Sequence, residues 1–167
     1  MSFRNRVSQT LHEEHAATLE LMQRLEQLIA RHRDGGPPDT GDAAVTRLLR
    51  DLSTGVEAEF QRHFSFEEEQ LFTYLRANGD EAIGAHLTNE HAVIRPIGVR
   101  LAELARRATK TGFDETKWEE FCRLGQDLCG LMYGHVQKEE MALLPLIEDS
   151  MDAQTEASLF GAYLETA

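Results

Sequence analysis

Hydrophobic residues recur at helical spacing along nearly the whole chain. Apolar positions three or four residues apart continue until glycine, proline or asparagine interrupts them. The predicted helices run from Val7 to Ile29, from about Asp42 to Leu75, from about Asp80 to Thr111 and from about Asp114 to Ile147. A shorter amphipathic segment over about 152–164 predicts a further helix, which either caps the others or joins two subunits. The pattern therefore predicts an all-α fold.

The breaks between these helices are marked by particular residues. The segment 34–41 holds three glycines and two prolines and predicts the one long loop. Asn78-Gly79 and Gly112 end the second and third helices. Pro96 lies inside the third helix, where it removes one backbone hydrogen bond and predicts a kink.

A polar motif occurs twice within this apolar pattern. His63 is followed four residues later by Glu67, and His135 is followed in the same way by Glu139. Each motif is preceded at long range by a Glu-His pair, Glu14-His15 in one case and Glu90-His91 in the other. The chain therefore contains a duplicated unit, a lone histidine followed by His-x-x-x-Glu.

The apolar residues support the duplication. When His63 is aligned with His135 and His15 with His91, hydrophobic positions coincide. The coincident pairs are Leu52 and Leu124, Val56 and Leu128, Leu71 and Leu143, Leu75 and Ile147, Leu11 and Leu87, and Leu25 and Leu101. We interpret residues 1–167 as one domain with a pseudo-repeat over 8–77 and 84–149, folded as two helical hairpins about a pseudo-twofold axis.

The spacing within each motif predicts a metal site. Residues four apart on an α-helix are displaced by about 40° beyond one turn, so His63 and Glu67 project from one face. The same holds for His135 and Glu139. Two such units supply four imidazoles and two carboxylates to one bundle, and this thiolate-free set favours iron or manganese over structural zinc. With two octahedral ions and a bridging oxygen, about two positions stay open for dioxygen, peroxide or nitric oxide.

Charge and composition exclude several classes of partner. Seventeen basic against 29 acidic residues give a net charge of −12, which disfavours binding to nucleic acid and to anionic lipid. No apolar run approaches the roughly 18 residues of a membrane span, and the start of the chain lacks the apolar core of a signal peptide. We expect a cytoplasmic protein with no membrane partner, either a monomer or a homodimer.

The full pattern resembles the hemerythrin-like, or HHE cation-binding, family. The residues that carry the resemblance are His15, His63, Glu67, His91, His135 and Glu139. It implies an up-down-up-down four-helix bundle, here with a short additional C-terminal helix, around a non-heme diiron centre that these six residues ligate. The set is most similar to the four-histidine, two-glutamate type of iron-centre-repair proteins. That type implies terminal histidines, bridging glutamates and two iron ions bridged by oxo or hydroxo, with manganese or zinc as alternative metals.

The pattern departs from oxygen-carrying hemerythrin, whose third helix offers two histidines four apart. Here His86 and His91 are five apart, about 140° around a helix, so both cannot readily ligate one metal pair. Glu140 occupies the position of the carrier's acid, and the internal repeat favours Glu139 instead. The cysteine-bearing N-terminal domain of many repair proteins has no counterpart in this sequence.

Several functions remain open at this point. The first is a diiron protein that binds or reacts with dioxygen, nitric oxide or peroxide in a redox or gas response, as in stress. The second is iron storage or delivery to damaged iron centres, and the third is a reversible oxygen carrier. Oxidase or peroxidase-like catalysis is left open by the sequence.

Overall fold

Residues 2–166 form four long helical rods and one short helix, joined by loops. The computed structural model describes residues 2–166 and contains no β-strand within them. Its elements are α1 (Arg6–Arg31), α2 (Ala43–Ala58), π1 (Glu59–Phe64), π2 (Glu67–Leu71), α3 (Phe72–Ala77), α4 (Glu81–Thr111), α5 (Glu115–Lys138), π3 (Glu139–Leu143), α6 (Leu144–Ser150) and α7 (Ala153–Glu165). Because α2 to α3 and α5 to α6 run on without a break, the rods are α1, 43–77, α4 and 115–150. The predicted all-α fold is confirmed.

Side-chain caps fix where most helices begin. Asp42, Asp114 and Asp152 each accept a hydrogen bond from a backbone N–H of the following turn, as Asn5 does for α1. These bonds satisfy donors that have no partner within the helix. The starts predicted near Asp42, Asp114 and Asp152 are therefore confirmed.

The ends of the second and third rods require glycine. Gly79 has a φ of 88° and Gly112 a φ of 71°, in the left-handed region that L-residues with a Cβ rarely adopt. Pro96 does not end the third rod, because α4 continues through it to Thr111.

Each rod is antiparallel to its two neighbours in the bundle. Residue pairs that contact across neighbouring rods ascend in one rod and descend in the other. These pairs are Glu14 with His63, Arg24 with Asp51, Glu68 with His91, Glu57 with Arg106, Glu90 with His135, Arg100 with Glu120, His15 with Glu140, and Glu26 with Tyr133. The rods therefore alternate up and down around the bundle.

Two apolar cores lie above and below a polar layer. The large core fills the end near the 32–42 loop and includes Leu25, Leu49, Leu101 and Phe121, each fully buried. The small core fills the opposite end; its members include Leu11, Leu75, Leu87, Ile147 and Tyr163. The polar layer between them consists of buried histidines and glutamates. No helix within residues 2–166 is long and apolar enough to cross a membrane.

Close approach of α2 and α4 depends on Gly98. A Cβ at this position would lie 2.3 Å from Cζ of Phe60, well inside the sum of the atomic radii. The second and third rods therefore pack closely just beside the polar layer.

The C-terminal helix α7 covers the small core. It packs against α1 and π2, and its Leu159 and Tyr163 are buried. Of the two predicted alternatives for this segment, capping of the bundle is therefore the one observed within the chain.

Candidate metal centre

The six side chains predicted to form the site converge in the polar layer. Each is at most 2% exposed: His15, His63, Glu67, His91, His135 and Glu139. They form two groups of four residues, and within each group the potential ligand atoms lie within 4.8 Å of one another. We call His15 and His63 the first half-site, and His91 and His135 the second half-site. The two half-sites share the carboxylates of Glu67 and Glu139.

All four histidines turn Nε2 toward the shared carboxylates. The distances are 2.6 Å from His15 Nε2 to Glu139 Oε2, 3.0 Å from His63 Nε2 to Glu67 Oε1, 3.3 Å from His91 Nε2 to Glu67 Oε2, and 2.7 Å from His135 Nε2 to Glu139 Oε1. Glu67 Oε2 and Glu139 Oε1 are buried and accept no well-formed hydrogen bond from the described residues. Buried carboxylates normally have partners, so this arrangement is suited to cations between the rods.

Four outer carboxylates hold the opposite nitrogen of each ring. The distances are 2.8 Å from His63 Nδ1 to Glu14, 2.8 Å from His135 Nδ1 to Glu90, 2.7 Å from His91 Nδ1 to Glu68, and 2.6 Å from His15 Nδ1 to Glu140. A carboxylate that accepts Nδ1–H fixes the tautomer and leaves Nε2 free to bind metal. These contacts obey the internal repeat, since Glu14 corresponds to Glu90 and Glu68 to Glu140.

The sequence reasoning noted Glu14 and Glu90 beside the lone histidines but gave them no role. The signal was available, because each precedes its histidine in both halves. Their function becomes visible only when the rods are assembled, since each reaches a histidine of the neighbouring rod rather than its own.

The partners of the outer carboxylates differ between the halves. Glu90 is bound by Lys138, and Glu68 by Arg95 at 3.1 Å. On the other side, the Tyr163 hydroxyl donates to Glu14, and His12 lies 2.8 Å from Glu140. Among the described residues, a lysine and an arginine therefore neutralise the outer carboxylates of the second half-site, whereas neither residue type binds those of the first.

The carboxylates of the polar layer raise the pKa of its histidines. Burial alone would lower the pKa of His15, but hydrogen bonds to Glu139 and Glu140 raise it to about 9. Burial would also lower the pKa of His91, but hydrogen bonds to Glu139 and Glu67 raise it to about 9. Burial opposes ionisation of Glu139, yet the four surrounding histidines hold its pKa well below the usual range. Metal ions that bind here must displace the histidine protons.

The backbone departs from the predicted α-helix at both motifs. π2 begins at Glu67 and π3 at Glu139, at equivalent positions of the repeat, and His63 lies in π1. The regular α-helical spacing predicted for the first motif is therefore wrong over 59–64, whereas α5 stays regular from His135 to Lys138 in the second. π-Turns insert a wider hydrogen-bonded loop and commonly occur at functional sites. His63 and Glu67 still converge.

The remaining histidines lie outside the centre. The His86 side chain is 59% exposed, with Nε2 3.3 Å from the outer carboxylate of Glu90. His32 packs against Trp118, with ring centroids 6.2 Å apart, beside the large core. Glu140 bonds His12 and His15 Nδ1, so Glu139 rather than Glu140 faces the shared space.

Glu59 is a further carboxylate, largely buried, that the sequence pattern did not predict. Its Oε2 accepts a hydrogen bond of 3.0 Å from Thr18, and its Oε1 lies 3.8 Å from His63 Nδ1. Burial raises its pKa above the ordinary value. The repeat places Leu131 at the equivalent position, so duplication gave no signal for it.

Aromatic rings enclose the second half-site. The ring of Phe64 stacks on His91 at a centroid distance of 3.8 Å, and Phe72 lies on the same histidine at 6.1 Å. Phe64 also meets His135 edge-on at 5.4 Å. These rings exclude water from one side of the centre.

Comparison with known proteins agrees with this geometry. The model of the hemerythrin HHE cation binding domain matches residues 6–147, a span that includes all six central residues. The chain therefore belongs to the hemerythrin HHE cation-binding family. No curated protein matches the chain. Helix α7 lies beyond the matched span.

Proposed function

We propose that the chain holds two non-heme iron ions in its polar layer and binds or reacts with a small ligand, either dioxygen, nitric oxide or peroxide. The observation that carries this proposal is the pair of buried four-residue groups that share Glu67 and Glu139. A pair of half-sites with two common carboxylates is suited to two adjacent cations rather than one.

The donor set fits iron. Nε2 of His15, His63, His91 and His135 would serve as terminal ligands, while Glu67 and Glu139 would bridge. Imidazole and carboxylate without thiolate suit iron, and manganese has a related preference. When bound, the iron pair supplies redox chemistry and open coordination positions for a small ligand.

The protein's own residues orient the ligands and exclude bulk solvent. The outer carboxylates Glu14, Glu68, Glu90 and Glu140 accept Nδ1–H and so fix each ring with Nε2 inward. The six central side chains are at most 2% exposed, so only a small molecule fits beside them. We take residues 1–167 as one domain of this kind, with the pseudo-repeat over 8–77 and 84–149.

Reversible oxygen transport receives no support from the position of His86. That residue was the candidate for a fifth histidine, and its side chain is 59% exposed and lies against Glu90. Four histidines leave an additional exchangeable position in the proposed centre. We therefore favour a centre that reacts with its ligand over one that releases it unchanged.

Stopped-flow mixing of the diferrous protein with air-saturated buffer, nitric oxide or hydrogen peroxide tests this function. We expect irreversible oxidation in air without a long-lived oxygenated form, and spectral changes with nitric oxide or peroxide. His63→Ala serves as the control, since it removes a proposed ligand. A stable oxygen adduct that disappears when oxygen is removed would favour a carrier instead.

A further inference from the structure

A cavity of about 400 Å³ lies between α1 and the second rod, against the first half-site. Its lining contains more acidic than basic side chains. The acidic ones are Glu14, Glu20, Asp51 and Glu59, and His63 of the centre also lies in the lining. Of the two arginines in the lining, Arg24 binds Asp51 at 2.8 Å, and Arg62 lies 4.4 Å over the Tyr163 ring. The cavity is therefore acidic and connects the surface with a histidine of the proposed centre.

Glu59 occupies the inner end of this route. Its side chain is 10% exposed, and its Oε1 is buried without a hydrogen-bond donor among the described residues. The His63 Nδ1 nitrogen lies 3.8 Å from this oxygen, beyond hydrogen-bond range. A buried carboxylate oxygen in this state is stabilised by a cation.

The second half-site has no matching arrangement. Leu131 stands where the repeat would place a second Glu59, and it lies in regular α-helix. Lys138 and Arg95 neutralise the outer carboxylates there, whereas Glu14 contacts the Tyr163 hydroxyl and His63 Nδ1 and no lysine or arginine among the described residues. A cation that approaches from solvent is therefore attracted to the first half-site more than to the second.

We propose that this cavity is the route by which divalent cations such as ferrous iron reach the centre, with Glu59 as a transient ligand that passes them to the first half-site. The inference rests on the proposed metal-binding function. It predicts that Glu59 and the free space of the cavity control the rate of loading but leave the final metal content unchanged.

The rate of cobalt(II) uptake by the metal-free protein tests the route, followed by stopped-flow visible absorption. Glu59→Gln keeps the shape and the acceptor for Thr18 but removes the charge, so uptake should slow by about tenfold. Ala17→Trp fills the cavity from its exposed wall without a change of charge and should also slow uptake. Glu69→Gln and Ala16→Trp are the matched controls, because both sites are exposed and outside the lining.

The outcomes separate the route from the function. Slower uptake in both cavity variants, with two cobalt ions bound at the end and wild-type rates in both controls, supports the route. Wild-type rates in Glu59→Gln and Ala17→Trp would overturn it while the two-metal centre stands. Loss of an ion from Glu59→Gln at equilibrium would contradict a transient role, and absence of cobalt binding by the wild type would contradict the proposed function itself.

Discussion

The two half-sites have the same types of inner side chain but different surroundings. In each, a lone histidine and a His-x-x-x-Glu histidine present Nε2 to the shared carboxylates and Nδ1 to an outer carboxylate. Around the second half-site, Phe64 and Phe72 provide aromatic walls, whereas the repeat places Val136 and Leu144 at the corresponding positions of the first. The two half-sites therefore have the same inner side chains but different enclosing residues.

The difference extends to backbone and charge. π1 widens the helix at His63, and the corresponding part of the second motif is regular α-helix. The first half-site lies beside Glu59 and an acidic cavity, and Tyr163 binds its outer carboxylate Glu14. At the second half-site, Lys138 and Arg95 neutralise the outer carboxylates. Because the inner side chains match and the surroundings differ, we expect the half-sites to have similar metal-binding roles but to differ in how readily a metal ion reaches them.

The largest expected effect tests the equality of the ligands. His63→Ala and His135→Ala should each lose bound metal and the stability that it confers, about 4 kcal/mol at a thousandfold excess over Kd. Metal analysis and chemical denaturation of the loaded variants measure this. His32→Ala is the control and should retain the wild-type metal content, because His32 packs against Trp118 away from the centre. Equal metal loss in His32→Ala would contradict the assignment.

Protonation of the metal-free centre provides the second test. His15 and His91 both have a pKa of about 9 in the folded protein, above the ordinary 6.5. Their contribution to stability is therefore fully present below pH 6.5 and is lost as the pH rises through about 9, by roughly 3 kcal/mol for each histidine. Urea denaturation of the metal-free protein across this range should show the loss. His15→Gln and His91→Gln should each reduce this pH-dependent loss of stability to a similar degree. An effect in only one of the two variants would show that the two histidines are not equivalent.

Smaller effects are expected from the outer carboxylates. Glu14→Ala and Glu90→Ala remove the acceptor for Nδ1–H of His63 and His135, and each should weaken metal binding by about 10- to 100-fold. Competition with a chromophoric chelator measures the affinity. Glu103→Gln, at an exposed position remote from the centre, controls for the change of net charge. Unchanged affinity in both variants would show that the outer carboxylates do not orient the histidines.

The smallest effect concerns Tyr163, which supports only the first half-site. Tyr163→Phe removes its hydrogen bond to Glu14 and should cost about 1 kcal/mol of stability, with faster release of metal. Tyr133→Phe removes a comparable bond to Glu26 at 2.9 Å and should leave metal release unchanged. Equal rates of metal release from the two variants would show that α7 does not influence the centre.

The sequence predicted the rods and the central residues because both follow periodic rules. Apolar spacing located the helices, and Asp42, Asp114 and Asp152 marked their beginnings. The repeat selected Glu139 over Glu140, and in the structure Glu139 faces the shared space. Assignment of the six residues as metal ligands, and the duplication itself, remain predictions.

The sequence did not predict the features that break the periodic rules. π-Turns begin at Glu67 and Glu139, where the apolar spacing predicted uninterrupted α-helix. Glu59 has no counterpart in the repeat, and its burial arises only when α1 covers the second rod. Tyr163 is distant in sequence and reaches Glu14 because α7 folds back over the small core.

Metal content measured together with the optical spectrum tests the two-metal centre most directly. Protein produced with ample iron and purified without oxygen should hold about two irons per chain and develop near-ultraviolet charge-transfer absorption after exposure to air. The double variant Glu67→Gln and Glu139→Gln should hold neither ion, because the half-sites share these carboxylates. One tightly bound zinc per chain, with no uptake of iron on reconstitution, would contradict the account.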